Sequence, residues 1–238
     1  MNVKIATLSD IGGRDNNDDT VSFRQKGDCA WIYVGDGLGA YAGGKLASEV
    51  VGQTILEESH RGSMLWDDRM QEVAEKSNEA VRNLQARTGG RMMTTMVLLA
   101  IEDGRARWMH IGDTRLYHFQ NGRLIKQTMD HSVSQMAVLM GEIQQNQIRF
   151  HEDRNRILRA VGSDSACPEL SPTKILTAGE DAFLLCTDGF WEYVYEEEME
   201  SLLHQAADPQ QWLNRMEELL RKRAPAENDN FTAAAVFC

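Results

Sequence analysis

Five short stretches of the chain set aspartate against the end of an apolar run. Asp36 follows "CAWIYV" in "YVGDGLGAYAGG", where one acid stands among five glycines. Asp188 follows "AFLLC" in "CTDGF", Asp113 follows "RARWMHI" in "GDTR", and Asp229 precedes "FTAAAVF" in "ENDNF". Asp18 and Asp19 close "RDNNDD" just ahead of "TVSF". Around Asp36 alone, a phosphate-cradling loop, a metal site and a plain turn are all open, and any single one of these acids could simply cap its strand. As a set they imply more. If the strand mouths converge, several carboxylates share one small volume and repel each other unless protons or cations neutralise them. Oxygen donors without His or Cys suit Mg²⁺ or Mn²⁺ rather than zinc. The Gly37 carbonyl could join them, since no side chain blocks an ion's approach to it. Arg14, in "GGRDNNDD", adds a guanidinium that could hold a pair of phosphate oxygens in a bidentate fork. Metal-assisted phosphate chemistry is the economical account of the set.

These residues need strands to carry them. Strand-like runs are "VKIATL", "TVSFRQ", "CAWIYV", "TTMVLLAI", "RARWMHI", "RLYHF", "RLIKQT", "AFLLCT" and "FTAAAVF", several joined through tight "EDG" and "NG" turns that favour antiparallel pairing. A helix is expected after Gly44, with Leu46, Ala47, Val50, Val51 and Thr54 on one face, and a longer one over residues 65 to 87. Near the end, Trp212, Leu213, Met216, Leu219 and Leu220 repeat at helical spacing. Asp208 is the expected N-cap there, Pro209 the first position, and Arg221 to Arg223 the last turn. Hairpins with a few amphipathic helices predict an α+β fold of antiparallel sheets covered by helices.

Composition narrows the partners. A net charge of −11 argues against nucleic acid or an anionic membrane surface, both of which need clustered Lys and Arg. The four cysteines, 29, 167, 186 and 238, form no C-x-x-C pair, and two lie in apolar runs, as expected of small buried hydrophobes in a reducing compartment. "MNVKIATLSD" has no apolar signal core, and no stretch approaches the roughly 20 apolar residues of a membrane span. A cytoplasmic protein is expected, with one domain over residues 1–238, because no linker or internal repeat divides the chain.

In this order the motifs resemble those of the metal-dependent type 2C (PPM) protein phosphatases, the compact bacterial ones in particular. "GGRDNNDD", "VGDGLGAYAGGKLAS", "MMTTMVLLAI", "MHIGDTRLYHFQNGRLIKQTMDHS", "RILRAVGSD", "LLCTDGFWEYV" and "ENDNFTAAAV" match successive family motifs across nearly the whole chain. The resemblance implies a four-layer α-β-β-α sandwich with two Mn²⁺ or Mg²⁺ ions at one edge and a weaker third. By the same resemblance, Asp36 would bridge the two ions, Gly37 would donate its carbonyl, and Asp188 and Asp229 would hold one ion. Asp18 would bind the other with Asp19 close by, Asp113 with Asp188 would serve the third, and Arg14 would grip the phosphate. The implied reaction is hydrolysis of phosphoserine or phosphothreonine on proteins by a metal-activated water. It would be carried out by a monomer opposing a bacterial Ser/Thr kinase, with a flap at about residues 132–156.

Some positions depart from the family pattern: Met93 replaces a common Gly, and Ala40 and Tyr41 a common Gly-His. Leu38 stands where some eukaryotic relatives carry a His thought to protonate the leaving group, and leucine cannot do that. His131 in "DHS" is a candidate for the task, with a structural histidine as the alternative. Two other functions fit the same scaffold: a catalytically silent phosphoprotein-binding module, and a phosphatase for small phosphate esters.

Overall fold

Alternation of apolar residues along the strands builds three hydrophobic layers. In β12 (Asp181–Cys186) Ala182, Leu184 and Cys186 point to one side while Phe183 and Leu185 point to the other. In β3 (Cys29–Gly35) Trp31 and Tyr33 face outward, and Ala30, Ile32 and Val34 face inward. Strands apolar on both faces must be covered on both faces. The computed structural model describes residues 1–38, 43–63, 65 and 67–238, and shows that covering as four layers.

One sheet runs β1 (Lys4–Asp10), β13 (Phe231–Phe237), β12, β8 (Arg115–Gln120), β9 (Arg123–Gln127). The other runs β10 (Glu169–Leu170), β7 (Arg105–Ile111), β6 (Met96–Glu102), β3, β2 (Thr20–Lys26), with β11 (Lys174–Ile175) also paired to β7. All these pairings are antiparallel. A two-stranded ribbon joins β4 (Gly37–Leu38) to β5 (Met93–Thr94). Between the sheets lie Ile32, Val34, Val97, Leu99, Leu116, Phe183, Leu185 and Val236. Helices α1 (Gly43–Glu58) and α2 (Asp67–Thr88) cover the second sheet through Val51, Ile55, Val73 and Val81. Helix α6 (Pro209–Arg223) covers the first sheet through Trp212, Leu213, Met216 and Leu220. Its start is as expected: Pro209 opens it, and the Asp208 carboxylate accepts the Gln211 N–H at 2.8 Å.

The four-layer sandwich is therefore present, and all nine expected strand runs are strands. Three short helices lie outside the sequence expectations: α3 (Val133–Leu139), α4 (Asp188–Trp191) and α5 (Glu196–Leu203). The substituted positions Ala40 and Tyr41 lie outside the described residues. Among the described residues no helix is long and apolar enough to cross a membrane.

Register decides where the acids go. In the first sheet Cys186 pairs with both Ala233 and Arg115. In the second, Thr20 pairs with Gly35, Val34 with Val97, and Met96 with Ile111. The segments bearing Asp18, Asp36, Asp113, Asp188 and Asp229 therefore all leave the sandwich at one end. The β7–β8 connection, which carries Asp113, crosses there from one sheet to the other. Phe183, fully buried between the sheets and packed against Trp108 and His118, tests the central layer. Phe183→Ala is expected to cost about 3–5 kcal/mol of unfolding free energy, read from chemical denaturation.

Candidate active site

The paired threonines of the sequence seat the first acid. Thr95 Oγ1 accepts the Asp36 N–H at 2.8 Å, while Thr94 Oγ1 and the Thr95 N–H donate to the Asp36 carbonyl at 2.8 and 2.9 Å. Asp36 is thus held by its backbone, leaving its carboxylate for the site. The glycines beside it permit a close approach of main chains: a Cβ on Gly37 would lie 2.3 Å from the Gly44 carbonyl oxygen and 2.6 Å from that of Asp18. The start of α1, the Asp36 loop and the first acidic loop can meet only because that Cβ is missing. Gly12, at φ +60°, does the same for the first loop; a Cβ there would fall 2.2 Å from the Asp229 carbonyl oxygen.

Asn230 ties the two chain ends together. Its Oδ1 accepts the Asp18 N–H at 2.8 Å, and its Nδ2 donates to the carbonyls of Ile11 and Asn16, both at 2.8 Å. A buried stack seats Asp113. Arg115 forks onto Asp130 at 2.8 and 2.7 Å, and its guanidinium lies 3.5 Å above the Trp191 ring. The Trp191 indole N–H in turn donates to the Asp113 carbonyl at 3.0 Å. His131 clasps the preceding residue: its N–H donates to the Gly112 carbonyl at 2.9 Å and its Nδ1 accepts the Gly112 N–H at 3.1 Å. Three distant motifs, "GDTR", "DHS" and "DGFW", therefore close into one framework.

The result is a cleft of about 440 Å³ lined by Arg14, Asp18, Asp36, Gly37, Asp113, Asp188 and Asp229, among others. Seven of the eight singled-out residues meet there. Asp19 does not line it. Its carboxylate is buried behind the cleft, where Thr187 Oγ1 donates to Oδ2 at 2.8 Å, and Lys45 Nζ bonds its carbonyl at 2.8 Å. Arg14 Nη2 bonds Asp229 Oδ2 at 2.8 Å at the solvent-facing rim. His131 is outside the cleft, stacked on His110, and burial pushes its pKa down to about 3, so it is a neutral structural histidine. Asn230, Thr187 and Trp191 are supports that the sequence reading missed. The Asn in "DN" and the Trp in "DGFW" were the available signals.

Electrostatics shows what the cleft wants. Burial, then the charges of Asp188, Asp19, Asp113 and Asp229, hold the Asp36 carboxyl well above the usual carboxylate range. Burial, then Asp113, Glu192 and Asp229, does the same to Asp188. Asp113 and Asp19 are both pushed up to about 7, chiefly by burial. Asp18 Oδ1 and Asp113 Oδ1 are buried with no hydrogen-bond partner. Unpartnered carboxylate oxygens in an all-oxygen donor set fit hard divalent cations, which would satisfy the oxygens and relieve the repulsion together.

Comparisons with known proteins identify the family. The model of the family described as "Protein phosphatase 2C" matches residues 9–229. The chain belongs to the protein phosphatase 2C family. It is 28% identical to the protein phosphatase PhpP of Streptococcus pneumoniae over 84% of each chain. It is 27% identical to the serine/threonine phosphatase stp of Listeria welshimeri, over 79% of this chain and 77% of that one. Its fold is similar to that of the Mycobacterium tuberculosis serine/threonine phosphatase PstP/Ppp, with a TM-score of 0.86 and 27% identity covering 100% of this chain and 99% of the other. A PstP catalytic domain solved in complex with two manganese ions superposes with a TM-score of 0.84 and 27% identity over 99% of this chain and 97% of the other.

The raised carboxyl pKa values carry a sign. Each of these acids binds more protons in the folded than in the unfolded state, so its stabilisation is full below the unfolded value of about 4 and is lost as pH rises through the folded one. For Asp113 and Asp19 the window runs from about 4 to about 7. Mn²⁺ competes with those protons, so the rise in melting temperature on adding Mn²⁺ to chelator-treated protein is expected to grow across that window. Differential scanning fluorimetry at stepped pH checks this.

Proposed function

We propose that this protein is a metal-dependent protein serine/threonine phosphatase, with the eight residues named from the sequence as its working set. The observation that carries the reading is the end-on convergence of five carboxylates on one cleft, two of them with buried, unpartnered oxygens. Two Mn²⁺ or Mg²⁺ ions would be held by Asp36, the Gly37 carbonyl, Asp188, Asp229 and Asp18, with Asp113 and Asp188 serving a weaker third. Asp19 belongs to the set as the buried charge behind Asp36. When bound, the ions supply Lewis acidity toward water and the phosphoryl oxygens.

The remaining work falls to the chain. Arg14 sits at the rim, where its guanidinium can exchange the Asp229 carboxylate for phosphate oxygens and neutralise charge that develops on them. The Asp36 backbone clamp and the Trp191–Arg115–Asp130 stack hold the acids against their mutual repulsion. In the reaction a water oxygen bonds to phosphorus and gives up a proton to a cluster carboxylate or to solvent as the ester P–O bond breaks. No histidine, lysine or cysteine lines the cleft among the described residues, so the leaving serine or threonine oxygen takes its proton from a cluster carboxyl or from solvent. Cys186 is buried in β12, where burial pushes its thiol pKa up, and it takes no part.

Phosphorylated proteins are the substrates in this reading and a Ser/Thr kinase is its counterpart. The protein works as a cytoplasmic monomer with a single catalytic domain over 1–238. Residues 132–156, which include α3 and a 3₁₀ turn at Gln145–Phe150, form its flap. A silent binding module is disfavoured because every proposed ligand acid is present.

Phosphopeptide hydrolysis should vanish with EDTA, return with Mn²⁺ or Mg²⁺, and survive thiol alkylation. Full activity in metal-free protein, verified by elemental analysis, would overturn the reading. Asp188→Asn should abolish turnover and weaken Mn²⁺ binding in calorimetry. Arg14→Ala should leave Mn²⁺ binding in place and cost about tenfold or more in kcat/KM, the worth of one charge-assisted bidentate contact. Asp113→Ala should keep the melting temperature and the two tighter ions while lowering kcat.

A further inference from the structure

Two aliphatic side chains stand in a cleft otherwise lined, among the described residues, by charged groups, side-chain amides and glycine. They are Leu38 and Ile157, both half-buried, and no step of the phosphatase reading uses either. Both sit on fixed backbone. Leu38 is paired with Met93 in the β4–β5 ribbon. Ile157 bridges to Ser132 and is flanked by two hydrogen bonds, Val133 N–H to the Arg156 carbonyl at 2.9 Å and Leu158 N–H to the His131 carbonyl at 2.7 Å. Asn155 also lines the cleft, two residues before Ile157. It stands in the turn over residues 152–155, closed by the Arg156 N–H on the Asp153 carbonyl at 3.0 Å and by the Arg156–Asp153 ion pair, and the turn leads directly into the Ile157 bridge. The exposed Asn155 side chain makes no hydrogen bond among the described residues, so its amide is free.

We propose that Leu38 and Ile157 form an aliphatic clamp for the substrate residue next to the phosphoresidue, with Asn155 bonding the peptide backbone beside it. The protein then selects phosphopeptides that carry leucine, isoleucine or valine adjacent to the phosphoresidue. The occupant follows from continuity. Leu38 and Ile157 line the same cleft as the carboxylates and Arg14, so a phosphate placed there brings its neighbouring residue into the space that these two side chains line. A charged or amide side chain at that place would lose water without gaining a partner from either wall. An aliphatic one would gain the apolar contact.

This inference rests on the phosphatase reading, and the test separates the two. The full chain with Mn²⁺ is given paired phosphothreonine peptides identical except for leucine or glutamine on either side of the phosphoresidue. The leucine peptide is expected to have roughly tenfold higher kcat/KM, mostly through KM, as for other small apolar subsites. Ile157→Ser and Leu38→Ser should each bring the ratio toward one, and Ile157→Val should keep most of it, with circular dichroism confirming that each variant is folded. Equal kcat/KM for the two peptides in the wild type, or a wild-type ratio in both serine variants, overturns the clamp alone. If neither peptide is hydrolysed, the phosphatase reading falls. The clamp is then judged by fluorescence anisotropy of the same labelled peptides, where equal dissociation constants overturn it and a tenfold difference supports it.

Discussion

Repulsion among like charges in a confined, partly dehydrated space is the constraint around which this molecule is organised. Five carboxylates at one end of a sandwich would drive their loops apart, and the energy needed to hold them has to come from elsewhere in the chain. The structure answers with backbone rather than side-chain restraint. Asp36 is gripped at its N–H and carbonyl by two threonines, Asp113 at its carbonyl by an indole, and Asp18 at its N–H by Asn230. Asp18 Oδ1 and Asp113 Oδ1 are left bare, while Asp229 meets Arg14 and the Asn230 N–H, and Asp188 Oδ1 the Gly189 N–H. Arg14 is the one cationic group lining the cleft among the described residues, so most of the negative charge is left unanswered, an arrangement that suits a site completed by cations.

The Arg115–Asp130 pair shows how far the framework extends. A fully buried ion pair is seldom a net source of stability over an apolar equivalent, but with its fork geometry it is unforgiving about position. Here it stacks on the tryptophan that bonds Asp113, and the "DHS" turn that supplies Asp130 also supplies the His131 clasp on Gly112. The histidine's place in the motif is thereby explained without proton transfer: its ring, kept neutral by burial, accepts a backbone N–H.

Much of this was legible beforehand, for identifiable reasons. Strands apolar on both faces announce themselves, and acids at their mouths stand out against apolar runs, so the nine strands and the acids at their ends could be read directly, while the meeting of those ends was a condition that only the register fulfils. What could not be read depended on direction or brevity. Asp18 and Asp19 are neighbours entering a strand, and successive residues of an extended chain point to opposite sides, so one reaches the cleft and the other goes behind it. The sequence offers no mark to say which. Helix α4 has four residues and α5 eight, too few turns for a helical period to emerge from the background. Nothing in "ENDNF" marks the partners of Asn230, and its three bonds to the first loop follow only from β1 lying beside β13.

That last pairing has a consequence for how the protein comes into being. Lys4 pairs with Phe237, so β1 finds its neighbour only after more than two hundred further residues have been made. Asp229 and Asn230 arrive with that same strand. During synthesis the early acids, Asp18 and Asp36, therefore wait until β13 is made for the residue that clips the first loop and for the acid that joins them in the cleft. A product cut short before β13 lacks both Asp229 and Asn230 and leaves the edges of β1 and β12 unpaired, a ready template for pairing with other chains.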